Sequence, residues 1–438
     1  MNEPQKSLWQ ERHIKCWIVN VACLVILAVA CTSPVNTSPA GNHDSSAAQS
    51  DSKPFEYRFT SGSSAKDIPF EINANKIYLR VQVNNKGPLS FILDSGAAFD
   101  VLDEEQARAL NVKFSDEAVV RGAGEGSVHI SAGAGVSLSL AGVEIVKPNI
   151  TILPIHSSIS NNEGRDVDGL LGYDFFKRFV VEIDYANKRI SIHEPKTYQY
   201  AGAGKIIPLE ENKEHIFINA TLVLADGRQS PVQLLVDTGA RMGVMLNTPF
   251  VNAHRLIDTT PQIIDSVISI GVGGSYRSAV ARVESLRMGP FTMKEPVVTL
   301  SRSKSGVLAG SDYDGIIGAE ILRRFKVIFD YSRQRMIVEP NAYLNEPYNY
   351  DMSGLVLVAE GPRFKTYKIL QVLDRSPAAE SGLQKDDEIR VINGQPASNF
   401  TLEQIRQMFT QQAGVEYKLG IQRNNQLLTV VLKLRKLI

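Results

Sequence analysis

Two stretches, FILDSGAAFD at 91–100 and LLVDTGARMG at 234–243, each drive an apolar run into an aspartate, then a small hydroxyl residue, then glycine. A carboxylate at the end of a buried strand loses its solvation unless it is hydrogen-bonded. Gly96 and Gly239 let the backbone turn sharply and bring an N–H close to the carboxylate. Ser95 and Thr238 can bond across to the other copy and lock the two loops together. If Asp94 and Asp237 face each other, both cannot ionise easily: one pKa rises, the other falls, and the pair shares a proton. The ionised member can then take a proton from a water between them, while the neutral member polarises a carbonyl or protonates a leaving amine. That chemistry is general acid–base hydrolysis of an amide, with no covalent intermediate, no metal and no cofactor.

Such a site needs matching elements to hold it, and the chain repeats itself at the separation of Asp94 and Asp237, 143 residues. Ile77, Leu79, Val81 and Val83 alternate as in a half-buried strand; NNKGP (84–88) turns the chain, and LSFIL leads into Asp94. Ile216, Ile218, Ala220, Leu222 and Leu224 alternate likewise; ADGR (225–228) turns, and VQLLV leads into Asp237. Both are hairpins whose second strand ends at the aspartate. The repeat continues: DGLLGYDFFKRF (168–179) matches DGIIGAEILRRF (314–325), and VVEIDYANKRISIHEP matches KVIFDYSRQRMIVEP. Two β-rich lobes follow, at 69–198 and 205–342. A single Asp-Thr-Gly at a strand end is ordinarily a turn, and roughly 0.2 Asp-Ser/Thr-Gly copies are expected by chance in such a length. Two copies at equivalent points of a duplication outweigh that reading. Asp168 and Asp314, before the apolar-apolar-Gly segments, are expected to satisfy turn backbone, as are Asp184 and Asp330 in the last hairpins.

Composition excludes several other classes. Of 438 residues 43% are apolar and 21% charged, a globular balance, and 47 basic against 47 acidic residues give no pull toward nucleic acid. The three cysteines, Cys16, Cys23 and Cys31, all precede the body, which therefore holds no disulfide framework and no thiolate metal site. The seven histidines show no metal-ligand spacing. GAGEG (122–126) could suggest a phosphate loop, but an alternating, strand-like segment follows it, so no helix N-terminus is on offer. Ser301-Arg302-Ser303-Lys304 fits Ser-x-x-Lys without any supporting partner.

Residues 69–342 resemble the pepsin/retropepsin class of aspartic peptidases, in particular the bacterial retropepsin-like type with both lobes in one chain. The motifs that carry this are Asp94-Ser95-Gly96, Asp237-Thr238-Gly239, Leu170-Leu171-Gly172 and Ile316-Ile317-Gly318. The resemblance implies a mainly β protein with two pseudo-symmetric, closed, barrel-like lobes, a cleft between them, and peptide bonds as substrate. It also implies a glycine-rich flap, for which the candidates are 122–130, with Gly122, Gly124 and Gly126, and 271–279, with Gly271, Gly273 and Gly274. The sequence departs from the class in having serine rather than threonine at 95. It also has no flap tyrosine in the first lobe; Tyr276 in the second is a weak counterpart. Arg241, two residues after Gly239, would lower a nearby carboxylate pKa or point to solvent.

Beyond an Asn- and Tyr-rich linker (341–351), residues 352–438 resemble a bacterial PDZ domain. SGLVLV (353–358), DRSPAAESGLQKDDEIRVINGQP (374–396) and a helix at 401–409 N-capped by Thr401 carry the likeness. It implies an α+β domain that binds an extended peptide as an added strand, with Gly354, Leu355 and Val356 forming the carboxylate loop. The bland alternative is a domain that merely caps the second lobe.

At the other end, Lys6, Arg12 and Lys15 precede an uncharged run, 16–30, the length of a signal-peptide core. It is short for a membrane-crossing helix, which needs about 20 apolar residues. Ala28-Val29-Ala30-Cys31 resembles a bacterial lipobox, which implies lipidation at Cys31 and a lipoprotein signal peptide at 1–31. Residues 32–68 begin as a Ser-, Thr- and Pro-rich stretch expected to be a disordered tether. The sequence thus reads as an exported, membrane-anchored aspartic endopeptidase facing the periplasm, with a polypeptide substrate, a PDZ peptide ligand, no cofactor and no nucleic acid. The competing reading is a peptide-binding adaptor on a degenerate peptidase scaffold.

Overall fold

The computed structural model describes residues 56–438. The leader at 1–31, Cys31 and the tether up to residue 55 lie outside the described residues. The tether expectation runs too far: Glu56–Phe59 pairs antiparallel with Val143–Leu153, and Ser64–Pro69 with Arg189–His193. Tyr57 and Phe59 pack edge-on against Phe179, which supplies the apolar contact that draws this segment into the fold.

The alternating segments form strands as expected. In Lys76–Val83, Ile77, Leu79, Val81 and Val83 are buried while Arg80 and Gln82 are exposed. Its hairpin partner Lys86–Leu93 starts exposed and ends buried on both faces, because Gly169–Leu171 lies parallel to its last three residues. The second lobe repeats this. Gln229–Asp237 pairs with His215–Val223 on one side and, in parallel, with Gly315–Gly318 on the other, so Gly318 stands opposite Asp237. In both lobes the apolar-apolar-Gly strand is inserted between the aspartate strand and the short strand that follows it, Val101–Asp103 or Val244–Leu246. A backbone threaded this way leaves the aspartate strand no exposed edge, which is why its sequence is continuously apolar.

Closed barrel lobes are not what forms. The first lobe is a nine-stranded mixed sheet running from an edge at Glu56–Phe59 to another at Phe114–Arg121. The long strand Ser127–Leu140 pairs with both Lys76–Val83 and Val143–Leu153 and curls it. The second lobe is a ten-stranded mixed sheet with free ends at Ile263–Gly271 and Phe291–Lys294. The last hairpin of each lobe does not return to close its own sheet. Val180–Asp184 and Phe325–Asp330 instead pair antiparallel with each other at the centre of a six-stranded sheet shared by both lobes. Phe176 of the first lobe packs against Phe329 and Tyr331 of the second, so one apolar core runs through both.

The C-terminal domain has a core of its own, with Leu357, Tyr367, Ile369, Ile389, Ile405 and Leu419 among its members. Its sheet runs from an edge strand, Leu355–Glu360, through Thr366–Val372 and Glu388–Ile392 to the hairpin Glu416–Arg423 and Gln426–Lys433. Ser376 caps the helix Pro377–Glu380. Thr401 and Gln404 form a reciprocal capping box on Leu402–Met408.

Candidate active site

Asp94 and Asp237 stand at the ends of their strands, 1% and 0% exposed. Each is held the same way. Gly96 and Ala97 N–H donate to Asp94 Oδ1, both at 3.1 Å; Gly239 and Ala240 N–H donate to Asp237 Oδ1 at 2.8 and 3.0 Å. The loops interlock through their hydroxyl residues. Ser95 Oγ donates to Val236 O (2.8 Å) and accepts from Thr238 N–H (3.0 Å). Thr238 Oγ1 donates to Leu93 O (2.7 Å) and accepts from Ser95 N–H (2.9 Å).

This interlock brings the carboxyl groups within hydrogen-bonding reach of each other. The Asp94 pKa rises well above the ordinary carboxylate value, through burial first and then the Asp237 charge; Lys76 opposes both. Gly239 is needed for the approach itself, since a Cβ there would overlap the Asp94 carboxyl group.

The apolar-apolar-Gly segments brace the loops from behind. Asp94 N–H donates to Leu171 O (2.9 Å), Tyr173 N–H to Ala97 O (2.7 Å) and, in the other lobe, Ala319 N–H to Ala240 O (2.7 Å). The two lobes solve one contact differently. Gly172 N–H is taken by the buried Asp100 carboxylate (2.7 Å), whose other oxygen meets buried Lys147 (2.7 Å). At the equivalent point Gly318 N–H is taken by the carbonyl of Gly243 (2.9 Å). Asp168 accepts from Ser90 N–H (2.7 Å) and Asp314 from Gln233 N–H (2.9 Å); both donors lie within the aspartate strands, so these carboxylates serve strand backbone rather than the turn backbone expected.

Arg241 is exposed, and its carbonyl accepts from Asn75 Nδ2 at 3.0 Å; its charge lowers Glu163 rather than a member of the aspartate pair. The cation beside Asp94 is Lys76, fully buried at the start of the first alternating strand and missed from the sequence. Lys76 Nζ lies 2.7 Å from Glu163 Oε1, and Tyr78 Oη donates to Glu163 Oε2 at 2.9 Å. Burial alone would raise Glu163, but Lys76, with Arg241 and Arg406 farther out, outweighs it and holds this carboxyl below its ordinary value. The only signal available was a lysine at a position flanked by apolar alternation.

The glycine-rich segments cross at their tips. Gly124 N–H donates to Val272 O and Gly126 N–H to Gly273 O, both at 2.8 Å. Gly273 and Gly274 have positive φ, and a Cβ on Gly124 would collide with the backbone of both. A Cβ on Gly271 would crowd Ala123, and the carbonyl of Gly122 accepts from Val307 N–H at 3.4 Å. Each tip puts one apolar residue into the opposite lobe. Ala123 joins Phe217, Ala240, Met245 and Tyr276; Val272 joins Tyr78, Ala97, Ala98 and Val120. Both aspartate loops therefore lie under the other lobe's tip. Lys304 N–H donates to Glu125 Oε1 and Ser305 Oγ to Glu125 O, both at 2.9 Å. The region of the isolated Ser-x-x-Lys thus docks the first tip.

In the C-terminal domain, the expected carboxylate loop is already engaged by its own chain. Gly354 N–H (2.6 Å), Ser353 N–H (2.9 Å) and Ser353 Oγ (2.8 Å) all donate to Asp351 Oδ1. Leu355 N–H donates to Ser353 Oγ (3.0 Å), and Val356 pairs with Gln371 in the sheet.

Comparison with known proteins agrees with this arrangement. The family model described as aspartyl protease matches residues 79–175 and 221–321, one segment around each aspartate, and the PDZ domain model matches 353–422. Among solved structures, the aspartic proteinase from Irpex lacteus matches with 14% identity and a TM-score of 0.45, over 66% of this chain and all of that one. A search among curated proteins finds no match.

Proposed function

We propose that this chain, an aspartic-peptidase domain joined to a PDZ domain, is an endopeptidase that cleaves polypeptides with Asp94 and Asp237 as its dyad. The observation that carries the reading is the buried pair itself, held by matching N–H donors and by the Ser95–Thr238 interlock. With Asp94 raised, the pair keeps one proton where isolated carboxyls would have lost both. A water between the carboxyls would lose a proton to the ionised member as it attacks the peptide carbonyl, which the neutral member polarises. The proton then passes to the leaving amine. Ser95, Gly96, Thr238 and Gly239 hold the dyad. The crossed tips at Gly122, Gly124, Gly126 and Gly271, Gly273, Gly274 must part for an extended substrate to enter.

In this reading the lobes occupy 56–198 and 205–342, and the PDZ domain, 352–438, takes a peptide beside Gly354, Leu355 and Val356. The chain is exported and held by a lipid on Cys31, facing the periplasm. Metabolic labelling with a radioactive fatty acid tests the anchor: Cys31→Ser should abolish incorporation. Incubating the full-length chain with unfolded casein tests the activity, with Asp94→Asn and Asp237→Asn as controls. Equal inertness of all three across a broad pH range would return the chain to the adaptor reading.

A further inference from the structure

The PDZ peptide groove would lie between the unpaired side of the edge strand Leu355–Glu360 and the helix Leu402–Met408. It is not open. The first-lobe segment 155–164, which includes the short helix Asn161–Glu163, packs against both walls. A Cβ on Gly164 would come within 2.7 Å of Leu402 Cβ, and the His156 ring stands 6.0 Å from Phe364. Arg406 closes the arrangement: its Nη2 donates both to Asn162 Oδ1 (3.2 Å) and to Leu357 O (2.9 Å). The carboxylate position is filled from within as well, by Asp351 on the Ser353 and Gly354 N–H groups. The groove walls and the carboxylate position are thus both covered from within this chain, the walls by a helical segment and the carboxylate position by Asp351.

These contacts reach the catalytic pair by two routes. Asn162 is followed by Glu163, the partner of Lys76 and Tyr78. Lys76 acts on Asp94, and Tyr78 lies in the cluster of Ala97, Ala98 and Val272. On the other side Gln371 grips the second-lobe tip hairpin: Ile268 N–H donates to its Oε1 (2.8 Å), and its Nε2 donates to Ser266 O (2.7 Å). Val267 and Val280 of that hairpin pack on Leu373 and Val356. One domain therefore holds both the segment behind Asp94 and the hairpin whose tip, Val272, covers the Asp94 loop.

We infer that segment 155–164 is a built-in occupant of the PDZ groove, and that an extended peptide with a free C-terminal carboxylate displaces it, loosens the Gln371 grip and lets the crossed tips part. The groove ligand is then an activator of the peptidase. This rests on the endopeptidase reading, so the test has one arm that needs no catalysis.

In that arm, hydrogen exchange is followed in full-length Asp94→Asn chain with a heptapeptide library bearing free C-terminal carboxylates, and with the same library amidated. Exchange in 155–164 and 263–282 should rise with the free acids and not with the amides. In the second arm, casein cleavage by the full-length chain should rise about fivefold or more with the free acids, and by a similar factor without peptide in Asn162→Ala and Gln371→Ala. Peptide binding with flat exchange in both segments overturns the inference, as does cleavage indifferent to peptide and to both substitutions. Responsive exchange with no cleavage in any chain supports the groove mechanism while sinking the endopeptidase reading.

Discussion

Ser95 and Thr238 each donate to a backbone carbonyl of the opposite aspartate strand and accept the backbone N–H of the other. Four buried hydrogen bonds thus cross the lobe interface through two side chains. Buried donors left without partners cost about 1–3 kcal/mol each. Thr238→Ala should therefore lower stability by about 2 kcal/mol or more in urea melts, and Thr238→Ser, which keeps the hydroxyl, by much less. Equal losses for both would mean that the methyl packing, not the hydroxyl, carries the contact.

Gly239→Ala tests how tightly the dyad is packed. The added methyl overlaps the Asp94 carboxyl, so the pair must separate. A displacement near 1 Å at the reacting centre costs about 100-fold in rate. Casein cleavage should drop by at least that factor while the far-ultraviolet spectrum stays native. Activity within threefold or so of wild type would show that the carboxyls have slack there.

The raised pKa of Asp94 has a signed consequence for stability. Between its ordinary value and the raised one, the folded chain binds a proton that the unfolded chain has released. Stability from this group is complete below the ordinary carboxylate pKa and is lost as pH rises through the raised one. Asp94→Asn removes that dependence. The gap in melting temperature between Asp94→Asn and wild type should widen in favour of the variant as pH is raised from 4. A gap that stays constant across that range would contradict a raised Asp94.

Lys76 and Glu163 form a buried ion pair, and the Lys76 charge opposes the rise at Asp94. Removing one member of such a pair costs about 3–5 kcal/mol, whereas replacing both with apolar groups is near neutral. Lys76→Met should destabilise strongly and Lys76→Met/Glu163→Leu much less. In the double variant Asp94 loses its opposing cation, so the alkaline limb of the activity profile should move to higher pH. A limb that stays fixed would remove Lys76 from the account of the dyad.

Much of the site was legible because it is local. An apolar run ending in Asp-Ser-Gly or Asp-Thr-Gly states strand, turn and carboxylate within six residues, and its repetition implies the pairing. The strand alternations of 77–83 and 216–224 and the Thr401 cap are local in the same sense; the partners of Asp168 and Asp314 are not, since Ser90 and Gln233 lie 78 and 81 positions upstream. What the sequence hid depends on distant partners. Residues 56–68 read as tether because their few apolar side chains find partners such as Phe179 only in the fold. The lobes read as closed because nothing in 180–184 or 325–330 says that these strands pair with each other. Arg241 stands out in the sequence for its place two residues after Gly239, whereas Lys76 reaches Asp94 from 18 positions upstream. The Gly354 loop reads as a free carboxylate site because its internal acceptor, Asp351, lies at the end of the Asn- and Tyr-rich linker.

The central claim is that both aspartates of one chain act as a single proton-sharing pair. Cleavage of casein by the full-length chain, run as a monomer fraction from size exclusion beside Asp94→Asn and Asp237→Asn, tests it most directly. The account predicts activity in the monomer fraction and loss by about 1,000-fold or more in either variant, since residues acting as a unit fail together. Activity retained by either variant, or confined to a dimer fraction, would contradict it.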